Sequence, residues 1–333
     1  MKKRVLVTGG AGYIGSATVE ELLDSGYDVT VMDNFLWGRH GLDHVADQIK
    51  IIEGDMRSSR DLVYALDGQD AVIHLGGIVG DPACKINLKA HHTCNVECVS
   101  TLVNCMTDPD LHRVPELIFA SSCSVYGNVK GMYDEVTEFT PTNPLSYYAA
   151  AKLRAEEIIA KKAEEVAAFH PTTLRLTTLF GWAPRQRIDL VTNMFVYKAI
   201  REGGFSVFGG GHQYRSLVHV RDVARALVHT LNQPRYARDR KIFHVGDEGN
   251  NMPIKDIAML VKKHIPEAKV EFPDAGEADR RDYSISCAKI RAVLGFEIKY
   301  NVEDGIKDMI ENINRTNLQF DPTVHGNAKF PYE

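Results

Sequence analysis

Three glycines at three-residue spacing, Gly9, Gly12 and Gly15, follow directly on the apolar run Val5-Leu6-Val7 and open a helical pattern. This strand, tight turn and helix in immediate succession constrain the fold more than any other feature of the chain. Gly9 suits the turn, Gly12 lets a backbone approach a ligand closely, and Gly15 lets the helix press on the strand. The free N–H groups of the helix start then face whatever anion sits there, and a pyrophosphate is the anion this geometry suits.

The rest of the first half repeats that rhythm. Arg4–Thr8, Val29–Asp33, Ile51–Glu53, Ala71–Leu75 and Leu117–Ala120 read as strands, separated by amphipathic stretches such as Ala17–Leu23 and Arg60–Leu66. A long helical stretch from Tyr148 to Ala168 leads to a further strand at Thr172–Thr177. Strands alternating with helices predict an α/β fold, a Rossmann-type doubly wound parallel sheet. Beyond Gly181 the rhythm becomes irregular, with short strands near Phe205–Phe208 and Lys241–Val245 and helices at Val220–Leu231 and Ile254–His264. This reads as a smaller C-terminal α/β substrate lobe. The expected division is 1–180 for the dinucleotide domain, 181–314 mainly for the lobe, with some segments free to return to the first domain, and 315–333 for a tail running as a surface strap.

Composition excludes several classes. The net charge is −5 and the 39 basic residues are dispersed, so neither nucleic acid nor a membrane surface is an expected partner. The apolar run after Met1-Lys2-Lys3-Arg4 is too short for a signal peptide, and no stretch approaches ~18 apolar residues. The six cysteines lack paired metal spacing and read as reduced thiols, so the expectation is a cytoplasmic protein with no metal. His91 and His92 are read as exposed or capping, Cys123 as small-residue packing, and Glu156–Glu165 as a solvated helix face.

Eighteen residues after Gly15 the second strand ends in Asp33, the place for a carboxylate that bonds ribose hydroxyls and repels a 2′-phosphate. Asn34 follows with no adjacent arginine, so NAD is expected over NADP. Asp55-Met56 after the third strand and Leu75-Gly76-Gly77 after the fourth lie on the same sheet edge. With Tyr13 and Ile14 they complete the expected cofactor contacts.

Ser122 follows the fifth strand, and 26 residues later stands Tyr148-Ala149-Ala150-Ala151-Lys152. Tyr148 and Lys152 share a helix face. An ammonium beside a phenol favours phenolate, and a serine hydroxyl can hold a substrate oxygen, so the three can shuttle a proton during hydride transfer.

These motifs, in this order, resemble the extended short-chain dehydrogenase/reductase family, in its nucleotide-sugar epimerase/dehydratase branch that includes UDP-glucose 4-epimerase, over about residues 4–314. The resemblance implies Ser122, Tyr148 and Lys152 as catalytic triad, with Tyr148 and Lys152 also touching NAD. It implies Asn95 as a further cofactor-site residue, and Val79, Ser122, Ser124, Tyr148 and Thr178 around the sugar. Asn193, Arg215 and Arg280 or Arg281 would converge on the diphosphate of a nucleotide sugar. It also implies a homodimer through the Ile86–Met106 and Tyr148–Ala168 helices, with Ala149, Ala150 and Ala151 permitting close approach.

The chain departs from the pattern at informative places. Dehydratases of this branch carry Asp-Glu after the catalytic serine or threonine, where this chain has Cys123-Ser124. That disfavours a 4,6-dehydratase. Thr178 replaces an asparagine, and Ile78–Cys84 lacks the usual Ser-x-x-x-Pro pattern, two departures where the sugar would lie that count against a 4-epimerase in particular and leave the hexose open. The leading expectation is epimerisation through a transient 4-keto sugar. The alternatives are a nucleotide-sugar 4-dehydrogenase or ketoreductase, and, from another class, a non-catalytic NAD-binding regulator or scaffold.

Overall fold

The structure is a computed structural model and describes residues 2–111, 114–129, 136–273 and 284–327. The strands are β1 (Arg4–Thr8), β2 (Asp28–Asp33), β3 (Lys50–Glu53), β4 (Ala71–His74), β5 (Glu116–Ser122) and β6 (His170–Leu176). They continue with β7 (Thr178–Phe180), β8 (Gly204–Ser206), β9 (Tyr214–His219), β10 (Ile242–Val245), β11 (Asn251–Pro253) and β12 (Lys269–Glu271). Among the described residues, seven of them make one parallel sheet in the order β10-β6-β5-β4-β1-β2-β3. The order reverses between β1 and β4, which opens a crevice at the carboxyl edge of the strands.

Helices cover both faces, which is why β4 and β5 read as almost unbroken apolar runs. The helices of the first half are α1 (Tyr13–Asp24), α2 (Ser59–Leu66), α3 (Asp81–Ile86), α4 (Leu88–His92), α5 (Cys98–Thr107) and α6 (Tyr147–Glu165). Those of the second half are α7 (Val191–Arg201), α8 (Val220–Asn232), α9 (Arg235–Arg238), α10 (Ile254–His264), α11 (Ala288–Leu294) and α12 (Val302–Thr316). On one face Leu62 of α2, Leu102 of α5 and Ile159 of α6 close a core. On the other, Val19 of α1, Leu227 of α8 and Ile290 of α11 do so. The Ser146 hydroxyl accepts from the Ala149 N–H and caps α6, which sets the start of the helix that carries Tyr148 and Lys152.

The chain after Gly181 serves both parts of the molecule. α7, α10 and α12 bury a separate cluster that includes Phe195, Ile257 and Met309. β9 pairs with β7 and β11 to make a small sheet of the lobe. The Lys241–Val245 strand, read from sequence with the lobe, instead returns as β10 and pairs in parallel with β6, burying Phe243 and Val245 in the central core. The tail runs over α7, where the Phe320 N–H donates to the Tyr197 hydroxyl. It then reaches the loop before α7, where the Ile188 N–H donates to the His325 carbonyl.

Candidate active site

The three fingerprint glycines form a cradle that a side chain would fill. A Cβ at Gly15 would lie 2.2 Å from the Gly9 carbonyl oxygen, and one at Gly9 would lie 2.6 Å from the Gly76 nitrogen. The turn therefore presses against the loop after β4, with Gly9 at φ +72°. No side chain caps α1 at Gly12, which leaves the helix start open to an anion. Asp33, at the end of β2, accepts from the Ala11 and Phe35 N–H groups, and burial holds its carboxyl above the usual range despite those bonds.

A deep cavity runs along this edge. Of the expected cofactor residues, Gly9, Gly12, Tyr13, Ile14, Gly15, Asp33, Asn34, Asp55, Met56, Leu75, Gly76, Gly77, Tyr148 and Lys152 all line it. Ser122 and Val79 line it as well. This shape, a glycine cradle on an open helix start beside a carboxylate, fits a dinucleotide.

Asn95 is placed differently. It lies behind the wall in a π-helical turn, where its Oδ1 accepts from the Ile78 N–H at 2.7 Å and its Nδ2 donates to the Ile78 carbonyl at 2.8 Å. It shapes the Gly77–Val79 loop without lining the cavity. His91, expected exposed or capping, is buried between Asn95 and the Tyr147 carbonyl, because both its ring nitrogens find partners inside.

Lys152 directs Nζ to the Ala120 carbonyl at 2.8 Å, and burial lowers its pKa to about 8. The phenol of Tyr148 is hydrogen-bonded to Ser122, and burial raises its pKa above the ordinary value. Desolvation is the largest influence on the phenol, and the Lys152 ammonium is bonded to a main-chain oxygen and acts on Tyr148 only through its field. Ser124 donates from both N–H and O–H to the Ser122 Oγ, at 3.2 and 2.9 Å. With both lone pairs of the Ser122 Oγ taken, its own O–H is the group that bonds the Tyr148 oxygen, and an entering substrate oxygen would take the phenol's place in that bond. Ser124 itself does not line the cavity, and Cys123 turns into the core, its thiol 3.4 Å from the Arg175 carbonyl.

Glu156, one turn beyond Lys152, was expected on a solvated face and is buried. Arg175 of β6 reaches it through two nitrogens at 2.6 and 3.0 Å, and Ser121 donates to it at 2.5 Å. Arg175 also donates to Tyr126, which meets His244 of β10. The floor under Ser122 is thus a locked ion pair.

The lobe residues are scattered. Asn193 is fully buried, accepting from the Gly181 N–H and donating to the Arg187 carbonyl, so it shapes the loop before α7 and is spent there. Arg215 lies on β9 and bonds the Tyr214 carbonyl, and Thr178 lies on β7; neither lines the cavity. Arg280 and Arg281 lie outside the described residues. Sequence reasoning missed Trp37, Arg185, Arg187 and Asn327, all on the cavity wall. Arg187 stands beside Tyr148 and is gripped by Asp189 at 2.7 and 3.0 Å. The pair in Arg187-Ile188-Asp189 was the available signal.

Comparison with known proteins decides the family, since residues 5–246 match the NAD dependent epimerase/dehydratase family. The chain belongs to that family. The putative UDP-glucose 4-epimerase of Methanocaldococcus jannaschii is 29% identical over 322 residues, 94% of this chain and 100% of the relative. The dTDP-glucose 4,6-dehydratase of Streptomyces niveus is 28% identical over 329 residues, 92% of each chain. MoeE5, solved in complex with UDP-glucose and NAD, superposes with a TM-score of 0.80 at 27% identity, covering 95% of this chain and 100% of that one. This member of the epimerase/dehydratase family is thus an NAD-dependent enzyme with the family's Rossmann-type sheet. Among the described residues no helix is long and apolar enough to cross a membrane, and no group of side chains is placed to hold a metal ion.

Proposed function

We propose that the enzyme is a nucleotide-sugar 4-epimerase that works through a transient 4-keto sugar. The observation that carries this reading is the distribution of carboxylates. Among the described residues lining the cavity, the carboxylates are Asp33 and Asp55, at the ends of β2 and β3, across the switch point from Ser122 on β5. Elimination of water needs an acid/base pair near the sugar. At the positions after Ser122 stand Cys123, turned away, and Ser124, bonded to Ser122. Oxidising and re-reducing one carbinol needs only one proton removed and returned, which Ser122 and Tyr148 can do.

NAD, when bound in the cavity that Tyr148 and Lys152 line, would accept the hydride and return it, and the positive charge of its oxidised form would favour the ionised phenol of Tyr148, its proton passed to solvent beforehand. Ser122 turns its O–H, bonded to Tyr148 in the structure, to the sugar oxygen. Tyr148 takes the proton from that oxygen and later gives it back. Lys152 provides a positive field, held by Ala120. Arg187, restrained by Asp189, offers donors to the sugar, and Arg215 on the lobe sheet is the residue we assign to the nucleotide diphosphate. UDP-glucose in the MoeE5 complex supports a nucleotide sugar as substrate.

Incubation with NAD and UDP-, GDP-, CDP- and dTDP-sugars tests this, with products separated by chromatography and reduced cofactor followed by absorbance. Interconversion of 4-epimers without net NADH is expected. Stoichiometric NADH would replace the epimerase with a 4-dehydrogenase, and a dehydrated 4-keto-6-deoxy product would make it a dehydratase.

We also propose a homodimer, through exposed Ile86, Leu88 and Tyr147 at the ends of α3, α4 and α6. Ala149 and Ala151 are already covered within the protomer, leaving Ala150 to an interface. A light-scattering mass near the 37.2 kDa of one chain would reject it.

A further inference from the structure

Arg185 is 1% exposed, yet its charge has no carboxylate partner within ion-pair distance among the described residues. Its Nη2 donates to the Oδ1 of Asn327 at 3.0 Å, its guanidinium lies 5.7 Å from the centre of the Trp37 ring, and its Nε has no acceptor among the described residues. Two other deeply buried arginines behave differently: Arg238 pairs with Glu116 at 2.9 Å and Arg175 with Glu156 at 2.6 Å. A guanidinium buried without an ion-pair contact is costly: burial and then Arg187 pull its pKa down to about 10, against the opposing pull of the Asp189 and Asp33 carboxylates, which stand beyond ion-pair distance. Such a group persists where something outside the chain completes it.

The position of Arg185 says what that is. Its N–H donates to the Ser16 hydroxyl at 3.2 Å, which ties its loop to the first turn of α1. A Cβ at Gly41 would lie 2.7 Å from the Arg185 Cβ and 3.3 Å from the Ala11 carbonyl, so the side chain leaves the main chain beside the glycine turn. It lines the same cavity as Gly12 and Ile14, where the twelve-residue α1 has no capping side chain and no acid in its first turn. An open helix start and an unpaired cation thus meet on one wall. Asn327 also donates through Nδ2 to the Val79 carbonyl at 3.2 Å, so the C-terminal segment joins the loop after β4 to the loop before α7 across this wall.

We propose that Arg185 is a cofactor-positioning residue that supplies the counter-charge for the pyrophosphate of NAD, and that Asn327 of the C-terminal segment holds its guanidinium in place for that role. The proposal rests on NAD as cofactor and not on which reaction follows.

Calorimetry on nucleotide-free protein, without any sugar present, tests it with NAD, ADP-ribose, NADP and adenosine. Arg185→Met weakens NAD and ADP-ribose about 10- to 100-fold, the worth of one lost charge-assisted hydrogen bond, and leaves adenosine unchanged. Arg185→Lys recovers part of the loss, and Asn327→Ala weakens NAD about 3- to 10-fold while Arg185 remains. Equal weakening of adenosine and ADP-ribose would make Arg185 a mere wall of the cleft and overturn the proposal. So would unchanged NAD affinity, or a loss confined to NADP, which would place the charge at a 2′-phosphate. If Arg185→Met does not fold, Arg185→Lys and Asn327→Ala carry the same comparison. Failure of the epimerase reading shows only in the sugar products, so the two are separable.

Discussion

Lys152 points its ammonium at the carbonyl oxygen of Ala120, 2.8 Å from Nζ, while the Tyr148 ring centre lies 5.9 Å away. The lysine is fixed by the end of β5, the strand that delivers Ser122, and acts on the phenol through its field. A charge held in so dry a place has consequences for stability as well as for catalysis.

Burial lowers the Lys152 pKa from 10.5 to about 8, so between these values the unfolded chain binds more protons than the folded one. Stability of the NAD-free protein therefore rises with pH across that window, and below about pH 8 the full penalty, on the order of 3 kcal/mol, is present. Lys152→Met should abolish turnover yet stabilise the NAD-free protein at pH 7, with the advantage shrinking toward pH 10. Urea unfolding at the two pH values checks this, and a variant no more stable at pH 7 would contradict it.

The phenol of Tyr148 is raised by burial, so in NAD-free protein it should ionise above the ordinary 10. Phenolate absorbance of the parent minus that of Tyr148→Phe isolates it from Tyr13 and Tyr126, which burial raises as well. Added NAD should move the difference curve to lower pH. A titration below 10 without cofactor would show that Lys152 already dominates.

Glu156→Gln leaves the Arg175 guanidinium buried without its counter-charge and weakens the acceptor of Ser121. The expected cost is about 3 kcal/mol by chemical denaturation, with turnover reduced because Ser121 adjoins Ser122. Adding Arg175→Met should recover much of the stability. A Glu156→Gln protein as stable as the parent would mean the pair is wet in solution.

Gly15→Ala places a methyl 2.2 Å from the Gly9 carbonyl oxygen, and backbone must move to admit it. A loss of about 1–3 kcal/mol is expected, together with weaker NAD binding. At Gly12 the nearest atom to an added Cβ, the Gly9 carbonyl oxygen, is 3.2 Å away, so Gly12→Ala should disturb the fold less. Thermal unfolding and NAD titration of both variants measure the difference.

What the sequence by itself determined is local and periodic. The turn Gly9–Gly15, Asp33 at a strand end, Ser122 at another and the shared face of Tyr148 and Lys152 each follow from spacing within one element or one βαβ unit. The tertiary structure decided which polar groups are spoken for. Asn95 and Asn193 are residue types suited to a ligand, but the backbone of Ile78 in one case and of Gly181 and Arg187 in the other claims them. Glu156 lies on a helix whose later acids are exposed, and it is dry because Arg175 arrives from β6. β10 joins the central sheet from beyond the lobe, and Asn327 reaches Val79 from 248 residues away. A buried donor or acceptor must find a partner wherever the fold brings one, so these assignments belong to the packed chain and not to any stretch of it.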